Sequence, residues 1–331
     1  MLRFDRPSFV CLTAAVLGAA LSLSACAKPP APATPVVWER SPAFDDAFWK
    51  VWGDGQAELS GYELVTPRYG ALRTGTAVAI FVTETFSNKQ RVKADPGRHP
   101  KKDEFPVMKL NLVQDFPTGI YDYNLLTSAF IALTSVNMRP PGAPTKVSFS
   151  AQEWCGHAYT QLLFDIAYAR YTGHSYFDGE ADSSSAIPIP NDVLAEDALL
   201  LWARGFSSPT LAPGDSVSVQ VSGALRAARL QHQRIEVRPA RVSRSAAPEA
   251  ISVPAGTFPC DVMQVRIEGG RTWTVWVEVA APHRIVQWTC SDGEQARLLG
   301  STRRKYWDEH DGGGEAYLKE LGLTPRGPRM P

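Results

Sequence analysis

The chain has 331 residues, 44% of them apolar and 21% charged, which is ordinary for a globular protein and long enough for one large domain. Lysine plus arginine equals aspartate plus glutamate at 34 each, so the charge balance gives no reason to expect a nucleic acid partner. A phosphate-binding glycine loop and zinc-finger spacing are both missing from the sequence, and we predict neither a cofactor nor a metal.

The N-terminus predicts export and lipid attachment. An apolar stretch over 9–23 follows two arginines and is too short for a comfortable membrane span. It ends in L-S-A-C, which resembles the bacterial lipobox, where the signal is removed before the cysteine and that cysteine is lipidated. We therefore predict a signal peptide over 1–25 and lipidation at Cys26; an ordinary secretory signal cut nearby is the alternative. Ala27, in place of the usual retention residue Asp, implies a periplasm-facing location on the outer membrane.

The rest of the chain divides into three predicted parts. Residues 26–36 contain four prolines and predict an extended tether. Residues 37–308 read as a single β-rich domain, and 309–331 as a mobile tail with a short helix. The domain should open with a helix capped by Ser41, because Phe44, Phe48 and Trp52 recur at helical spacing.

Alternating apolar residues predict many strands and few helices. The pattern favours a helix from Asn191 or Asp192 to Arg204, and loops over 88–104 and 168–185. The predicted class is β-dominated α+β, a largely antiparallel meander sheet curved into a half-barrel with a few covering helices. The candidate strands are 57–66, 74–85, 107–113, 119–133, 145–151, a return to strand from Ser216, 225–238, 241–244, 260–268, 271–280, 284–290 and 296–307.

Three cysteines remain after the lipidated one: Cys155, Cys260 and Cys290. In an up-down-up meander, Cys260 begins the first of three strands and Cys290 ends the third. They should lie roughly 20 Å apart, beyond bridging distance. A bridge that involves Cys155 stays open.

The densest chemistry of the sequence lies in Q-E-W-C-G-H-A-Y-T-Q-L-L-F over 152–164. If this stretch is extended, Glu153, Cys155 and His157 share one face, as a carboxylate, a thiol and an imidazole would in a nucleophilic site. An unbroken strand directs them inward, whereas a bulge or turn near Gln152 directs them outward. The alternatives are a buried cysteine beside a hydrogen-bonded histidine, or a metal site completed by His174 or His283.

An acidic loop follows this stretch. Asp178, Glu180 and Asp182 alternate as calcium ligands can. Ser183 and Ile189 stand where a calcium loop of the EF-hand kind requires Gly and Glu, so we predict a solvated loop without metal.

Several motifs resemble an uncharacterised family of exported bacterial lipoproteins that carry a domain of unknown function with a half-barrel meander sheet. The resemblance covers most of 40–307, and it implies a fold and a compartment but no activity. The motifs are E-L-S-G-Y-E-L (58–64), R-Y-G (68–70), I-F-V-T-E (80–84), Q-E-W-C-G-H (152–157), V-P-A-G-T-F (253–258), W-V-E (276–278) and A-P-H-R-I-V (281–286).

These observations predict a lipid-anchored envelope protein without catalytic activity, which binds a hydrophobic ligand or lipid in its partly closed sheet. Its partners would be the membrane, through lipidated Cys26, and the hydrophobic molecule. The alternatives are an envelope assembly or interaction protein, and a Cys/His enzyme that uses Glu153, Cys155 and His157. The predicted ligand-binding residues are aromatic: Phe81, Trp154, Tyr159, Trp273, Trp276 and Trp288.

Overall fold

The computed structural model describes residues 42–325, which belong to a compact unit that spans 34–331. The predicted signal peptide, Cys26 and the tether lie outside the described residues. None of the helices in 42–325 combines the length and apolar character that a membrane crossing requires.

The described chain forms one large sheet of sixteen strands, all antiparallel to their neighbours except for one short pair, which confirms the predicted class. The order in the sheet is β8-β7-β6-β5-β4-β3-β2-β1-β16-β15-β14-β13-β11-β10-β9, and β12 pairs with β13. The strands are β1 (Ala57–Arg68), β2 (Ala71–Ser87), β3 (Glu104–Thr118), β4 (Tyr121–Ala132), β5 (Pro144–Glu153), β6 (Gly156–Phe164), β7 (Tyr168–Ser175), β8 (Ser183–Pro188), β9 (Leu194–Ala195), β10 (Ser216–Ser222), β11 (Val237–Arg244), β12 (Glu249–Val253), β13 (Gly256–Ile267), β14 (Thr272–Glu278), β15 (Ile285–Cys290) and β16 (Gln295–Arg304).

The sheet curves into a half-barrel, and the strands at its two edges are consecutive in the sequence. Strand β8 forms one edge and β9 forms the other, and only residues 189–193 connect them. No ladder pairs β8 with β9, so the sheet stays open along this seam.

A helical segment fills the inside of the curve. A 3₁₀ turn, Glu196–Ala198, leads into α2 (Leu199–Ala203), and all five residues of α2 are buried. The adjoining Arg204 forms a bidentate ion pair with Glu58 of β1, at 2.7 and 3.0 Å. The predicted helix from 191 or 192 to 204 is therefore wrong in its extent, because β9 pairs with β10 and shortens it.

A first helix, α1 (Asp46–Trp52), confirms the prediction that a helix opens the domain. Its N-cap is Asp45, whose side chain accepts a hydrogen bond from the Phe48 amide at 3.0 Å. The predicted cap, Ser41, lies outside the described residues. Trp52 is buried, and Phe44 and Phe48 pack against the core, as the apolar stripe indicated.

Two predicted segments adopt other structures. The predicted loop over 168–185 contains β7 and the start of the edge strand β8, whose serines conceal the strand pattern. The predicted strand over 225–238 is mostly helix α3 (Leu225–Gln231) followed by a loop, with only its last two residues in β11. Its sequence, L-R-A-A-R-L-Q, contains strong helix formers and no β-branched residue.

The C-terminal segment packs on the outer face of the sheet. The predicted short helix is a 3₁₀ helix, Gly314–Leu321, and Leu321 is buried among Leu59, Ile80 and Val82. A Cβ at Gly300 would lie 2.4 Å from the Glu320 carbonyl oxygen, so the strand needs glycine at this contact. Residues 314–323 therefore belong to the packed domain and not to a separate tail.

Candidate ligand-binding site

The row of candidate catalytic residues, Glu153, Cys155 and His157, is divided by a tight hairpin. Strand β5 ends at Glu153, β6 begins at Gly156, and these two residues pair across a turn made of Trp154 and Cys155. The turn interrupts the alternation. Glu153 thus shares the inner face with buried Ala151, whereas His157 is exposed on the outer face. The three residues do not form one face, so the proposed nucleophile–base–carboxylate arrangement is wrong.

The three cysteines of the described residues are all free. Cys155 is exposed in the turn, and Cys260 and Cys290 are buried. Cys260 pairs with Glu278 at one end of β14 and Cys290 with Trp273 at the other, which confirms that these two cysteines are too far apart to bridge. Residues 42–325 contain no cluster of three or more His, Cys, Asp or Glu side chains suited to a metal ion.

Glu153 lies beside a group of tyrosines at the end of the sheet. The Tyr123 hydroxyl group is 2.6 Å from that of Tyr69 and accepts a hydrogen bond from Arg68 at 2.8 Å. Burial and the hydrogen bond to Tyr69 raise the pKa of Tyr123, and Glu153 adds to this effect. Glu153 therefore lies beside Tyr123 at the end of the sheet and not beside a histidine in a thiol site.

The predicted aromatic residues do not line one binding cavity. Trp288 is buried and Trp273 partly buried, and they border a cavity of only about 40 Å³, which has room for water but not for a lipid. Phe81 is fully buried beneath the Arg204 guanidinium, and Trp276 binds Glu249 on the other face of β14. Trp154 and Tyr159 are exposed.

A buried polar cluster holds α3 inside the curve of the sheet. It comprises Glu196, Asp197, Arg226, Arg271 and Glu294. Glu196 and Asp197 accept hydrogen bonds from the first backbone amides of the helix, those of Ala224 and Leu225, at 3.0 and 2.8 Å. Carboxylates are favourable at this end of a helix.

The same cluster ties the helix to strands on its other side. Arg226 pairs with Glu294, and Arg271 pairs with Glu196 at 2.7 Å. The Trp273 indole donates to Glu196 and the Trp288 indole to Glu294, at 2.8 and 3.0 Å. These contacts position α3 along the seam of the sheet.

The largest of the cavities around α3 measures about 680 Å³ and lies between this helix and the inner face of β6, β7 and β8. We call it the α3 cavity. Smaller cavities of about 330 and 250 Å³ lie on the other sides of the helix. Six of the residues that line the α3 cavity are Thr160, Tyr171, Ile187, Leu225, Ala228 and Arg229.

Strand register explains the wall of this cavity. Thr160 pairs with Gly173, and Gly173 pairs with Ser183, so the three lie side by side across β6, β7 and β8. A Cβ at Gly173 would lie 2.6 Å from the Tyr171 hydroxyl oxygen, so glycine leaves room for this phenol along the wall. The result is a wall rich in hydroxyl groups, in which Ile187 and the ring of Tyr171 supply the apolar surface.

The charged residues that line the α3 cavity are Arg229, Arg234 and Glu180, and of the two arginines Arg229 is buried whereas Arg234 is exposed. The Arg229 side chain is only 4% exposed, and its guanidinium lies 3.8 Å from the centre of the Phe177 ring. Its Nε lies 3.5 Å from Glu180 Oε2, in an ion pair that lacks hydrogen-bond geometry. Glu180 also binds His232 and Ser175, so it is a structural partner and not the solvated residue that the sequence predicted.

The most exposed large apolar side chains of the described residues gather at one end of the molecule. They are 56–83% exposed and lie at four hairpin connections, β1–β2, β3–β4, β5–β6 and β7–β8. Alternate connections of an antiparallel meander lie at the same end. We call this group the hairpin rim; its members are Tyr69, Leu72, Ile120, Trp154 and Tyr176.

Sequence reasoning missed the α3 cavity because it assigned α3 to a strand and β7 to a loop. The alanine, leucine and arginine composition of 224–231 could have revealed the helix. Nothing in the local sequence indicates that this helix faces β6, β7 and β8. No family model and no curated protein sequence matches this chain.

Proposed function

We propose that this protein is a non-catalytic, lipid-anchored protein of the bacterial envelope that binds a lipid or another hydrophobic molecule in the α3 cavity. The observation that supports this proposal is the cavity itself. Its volume of about 680 Å³ falls within the range of known small-molecule sites, and its lining combines apolar side chains with many hydroxyl and charged groups. Leu225, Ile187 and Tyr171 supply apolar surface, and the serines of β8 lie along its edge.

Anchoring rests on the lipobox resemblance around Cys26. A membrane tether would keep the cavity where lipids are available. Metabolic labelling with a fatty acid should mark the wild-type protein and not Cys26→Ala. Unlabelled wild-type protein would contradict the anchor, and it would leave the cavity proposal unaffected.

Ligand binding can be tested by filling the cavity. Ala228 and Ala227 are neighbours on α3, but only Ala228 lines the α3 cavity. Ala228→Phe should weaken binding of hexadecanol to residues 34–331 about tenfold or more, because the added ring occupies the ligand's space. Ala227→Phe is the matched control and should bind as the wild type does.

Native mass spectrometry of protein purified from the periplasm gives an independent test. A retained mass that disappears on denaturation would support the proposal and identify the ligand. An empty wild-type protein that also fails to bind hexadecanol in titration would contradict it.

The hairpin rim favours a second candidate, an envelope interaction protein. Exposed apolar side chains gathered in this way are typical of interaction surfaces. A partner cross-linked to the wild type should be lost in the double variant Ile120→Ser, Trp154→Ser. It should be retained in Val92→Ser, which changes an exposed apolar residue in the β2–β3 connection at the opposite end.

A further inference from the structure

We infer that the ligand of the α3 cavity is a single-chain amphiphile with an anionic head group, a carboxylate or a phosphate, which binds Arg229 and Thr160. This inference rests on the proposed function and adds the chemistry of the head group. Its basis is a set of buried donors that lack partners.

Arg229 has more unsatisfied buried donors than any other side chain that lines this cavity. Both Nε and Nη1 are buried and have no hydrogen-bond partner among the described residues. Burying guanidinium donors without hydrogen bonds is costly, and the cost falls when an acceptor binds them. The Phe177 ring stacks against the face of the guanidinium, with its centre 3.8 Å away. It therefore does not accept hydrogen bonds from the N–H groups, which point outward in the plane of the guanidinium. An oxygen of an acid group could accept a hydrogen bond from Nη1.

Thr160 supplies a second unsatisfied group. Its side-chain hydroxyl is buried and without a partner, and Thr160 lines the same cavity as Arg229. A threonine hydroxyl can donate to an anionic oxygen. Two unsatisfied polar side chains in one cavity indicate a polar end for a ligand whose remainder contacts Leu225, Ile187 and Tyr171.

Glu180 partly offsets the positive charge of Arg229 but does not neutralise the whole cavity wall around it. This carboxylate lies 3.5 Å from Arg229 Nε, and it also binds His232 and accepts a hydrogen bond from Ser175 at 3.3 Å. Its negative charge should weaken the attraction between Arg229 and an anionic ligand. A variant without this charge should therefore bind an anionic ligand more tightly, an effect opposite to that of losing a structural contact.

The test compares three probes with the same sixteen-carbon chain: hexadecanoic acid, hexadecyl phosphate and hexadecanol. Each is titrated into residues 34–331, the compact unit of the chain. In the wild type, at least one of the two anionic probes should bind about ten- to a hundredfold more tightly than the alcohol, as expected for hydrogen bonds to a charged group. The tighter of the two identifies the head group.

Arg229→Met should abolish this preference, because it lowers the affinity for the preferred anion far more than the affinity for hexadecanol. Arg229→Lys keeps the charge but not the fork of donors, and it should retain part of the preference. Thr160→Val should weaken the preferred anion about two- to tenfold, and Glu180→Gln should strengthen it about two- to fivefold. Binding of hexadecanol shows in each variant that the cavity is intact.

Two results would overturn the inference. If the wild type binds all three probes equally, and Arg229→Lys and Thr160→Val change nothing, the head-group assignment is wrong although the cavity binds lipids. If none of the probes binds to the wild type, the proposed function fails together with the inference. Because Arg229→Lys, Thr160→Val and Glu180→Gln are conservative, the test does not depend on Arg229→Met being able to fold.

Discussion

Individual buried charges control much of this structure. Asp197 lies within the polar cluster, next to Glu196, and accepts one backbone hydrogen bond from Leu225 at 2.8 Å. Burial, and then the negative charge of Glu196, raise the pKa of Asp197 to about 7, while Arg271 and Arg226 oppose the rise. Asp197 therefore titrates near neutral pH inside the protein.

The raised pKa of Asp197 makes the free energy of unfolding depend on pH. In the unfolded chain Asp197 ionises near pH 3.8, and in the folded protein near pH 7. Between these values Asp197 binds more protons in the folded state, so its contribution to the free energy of unfolding falls as pH rises from 4 to 7 and levels off above. Asp197→Asn should therefore stabilise the protein by up to about 4 kcal/mol at pH 8 and by almost nothing at pH 4. Urea unfolding at both pH values measures the difference.

The control is Asp95→Asn, which changes an exposed aspartate whose side chain is 67% accessible. It should show no such pH dependence. A benefit of Asp197→Asn that is equal at pH 4 and pH 8, or larger at pH 4, would contradict the assignment.

The cysteines give a second prediction at this scale. Cys155 is exposed, whereas burial raises the pKa of both Cys260 and Cys290 to about 12. A thiol reagent at pH 8 should modify one cysteine of folded residues 34–331 and three after unfolding, because the thiolate is the reactive form. Mass spectrometry counts the adducts. Cys155→Ser should abolish labelling of the folded protein; rapid labelling of Cys260 or Cys290 would show that the sheet opens.

At the scale of elements, short helices complete surfaces that the sheet leaves uncovered. The C-terminal 3₁₀ helix buries Leu321 against β1 and β2 and crosses the strands at Gly61 and Gly300. A Cβ at Gly61 would lie 2.2 Å from the Leu321 carbonyl oxygen. The glycines thus permit the close approach, and the leucine supplies the apolar contact.

Leu321→Ala should lower the free energy of unfolding by about 2 to 3 kcal/mol, since it creates a cavity over β1 and β2. The matched control is Leu72→Ala, which truncates an exposed leucine and should change stability by less than about 0.5 kcal/mol. Chemical denaturation measures both. Equal effects would mean that the C-terminal helix is not held to the sheet in solution.

At the scale of the whole molecule, the sheet wraps around its own chain. The Arg204 side chain at the end of α2 is fully buried and its partner Glu58 is 1% exposed, so one ion pair joins the inner segment to β1. Arg204 also donates to the Pro282 carbonyl oxygen at 2.8 Å. Strand and inner segment should therefore unfold together.

Arg204→Met should lower the free energy of unfolding by about 3 to 5 kcal/mol, because it leaves Glu58 buried without its ion-pair partner. The double variant with Glu58→Met should recover part of this loss. Calorimetry should show a single transition in the wild type. Two separate transitions would mean that the inner segment unfolds independently of the sheet.

Local patterns predicted the meander well, because an exposed or half-buried antiparallel strand alternates apolar and polar residues. Strands β1 to β5 and β13 to β16 were all anticipated. The same rule failed at Cys155, where a two-residue turn reversed the faces, and at β8, where an edge strand rich in serine lacks alternation. Local propensity does not report where a strand ends or which strand lies at an edge.

The sequence by itself determined the antiparallel meander, the opening helix that ends at Trp52 and the separation of Cys260 from Cys290. Each follows from residues that are close in the chain. Only the tertiary structure decided that α3 faces β6 to β8 and that Arg229 lies in the cavity between them. Those contacts join residues about 40 to 70 positions apart through the curvature of the sheet, which depends on the packing of its strands around α2.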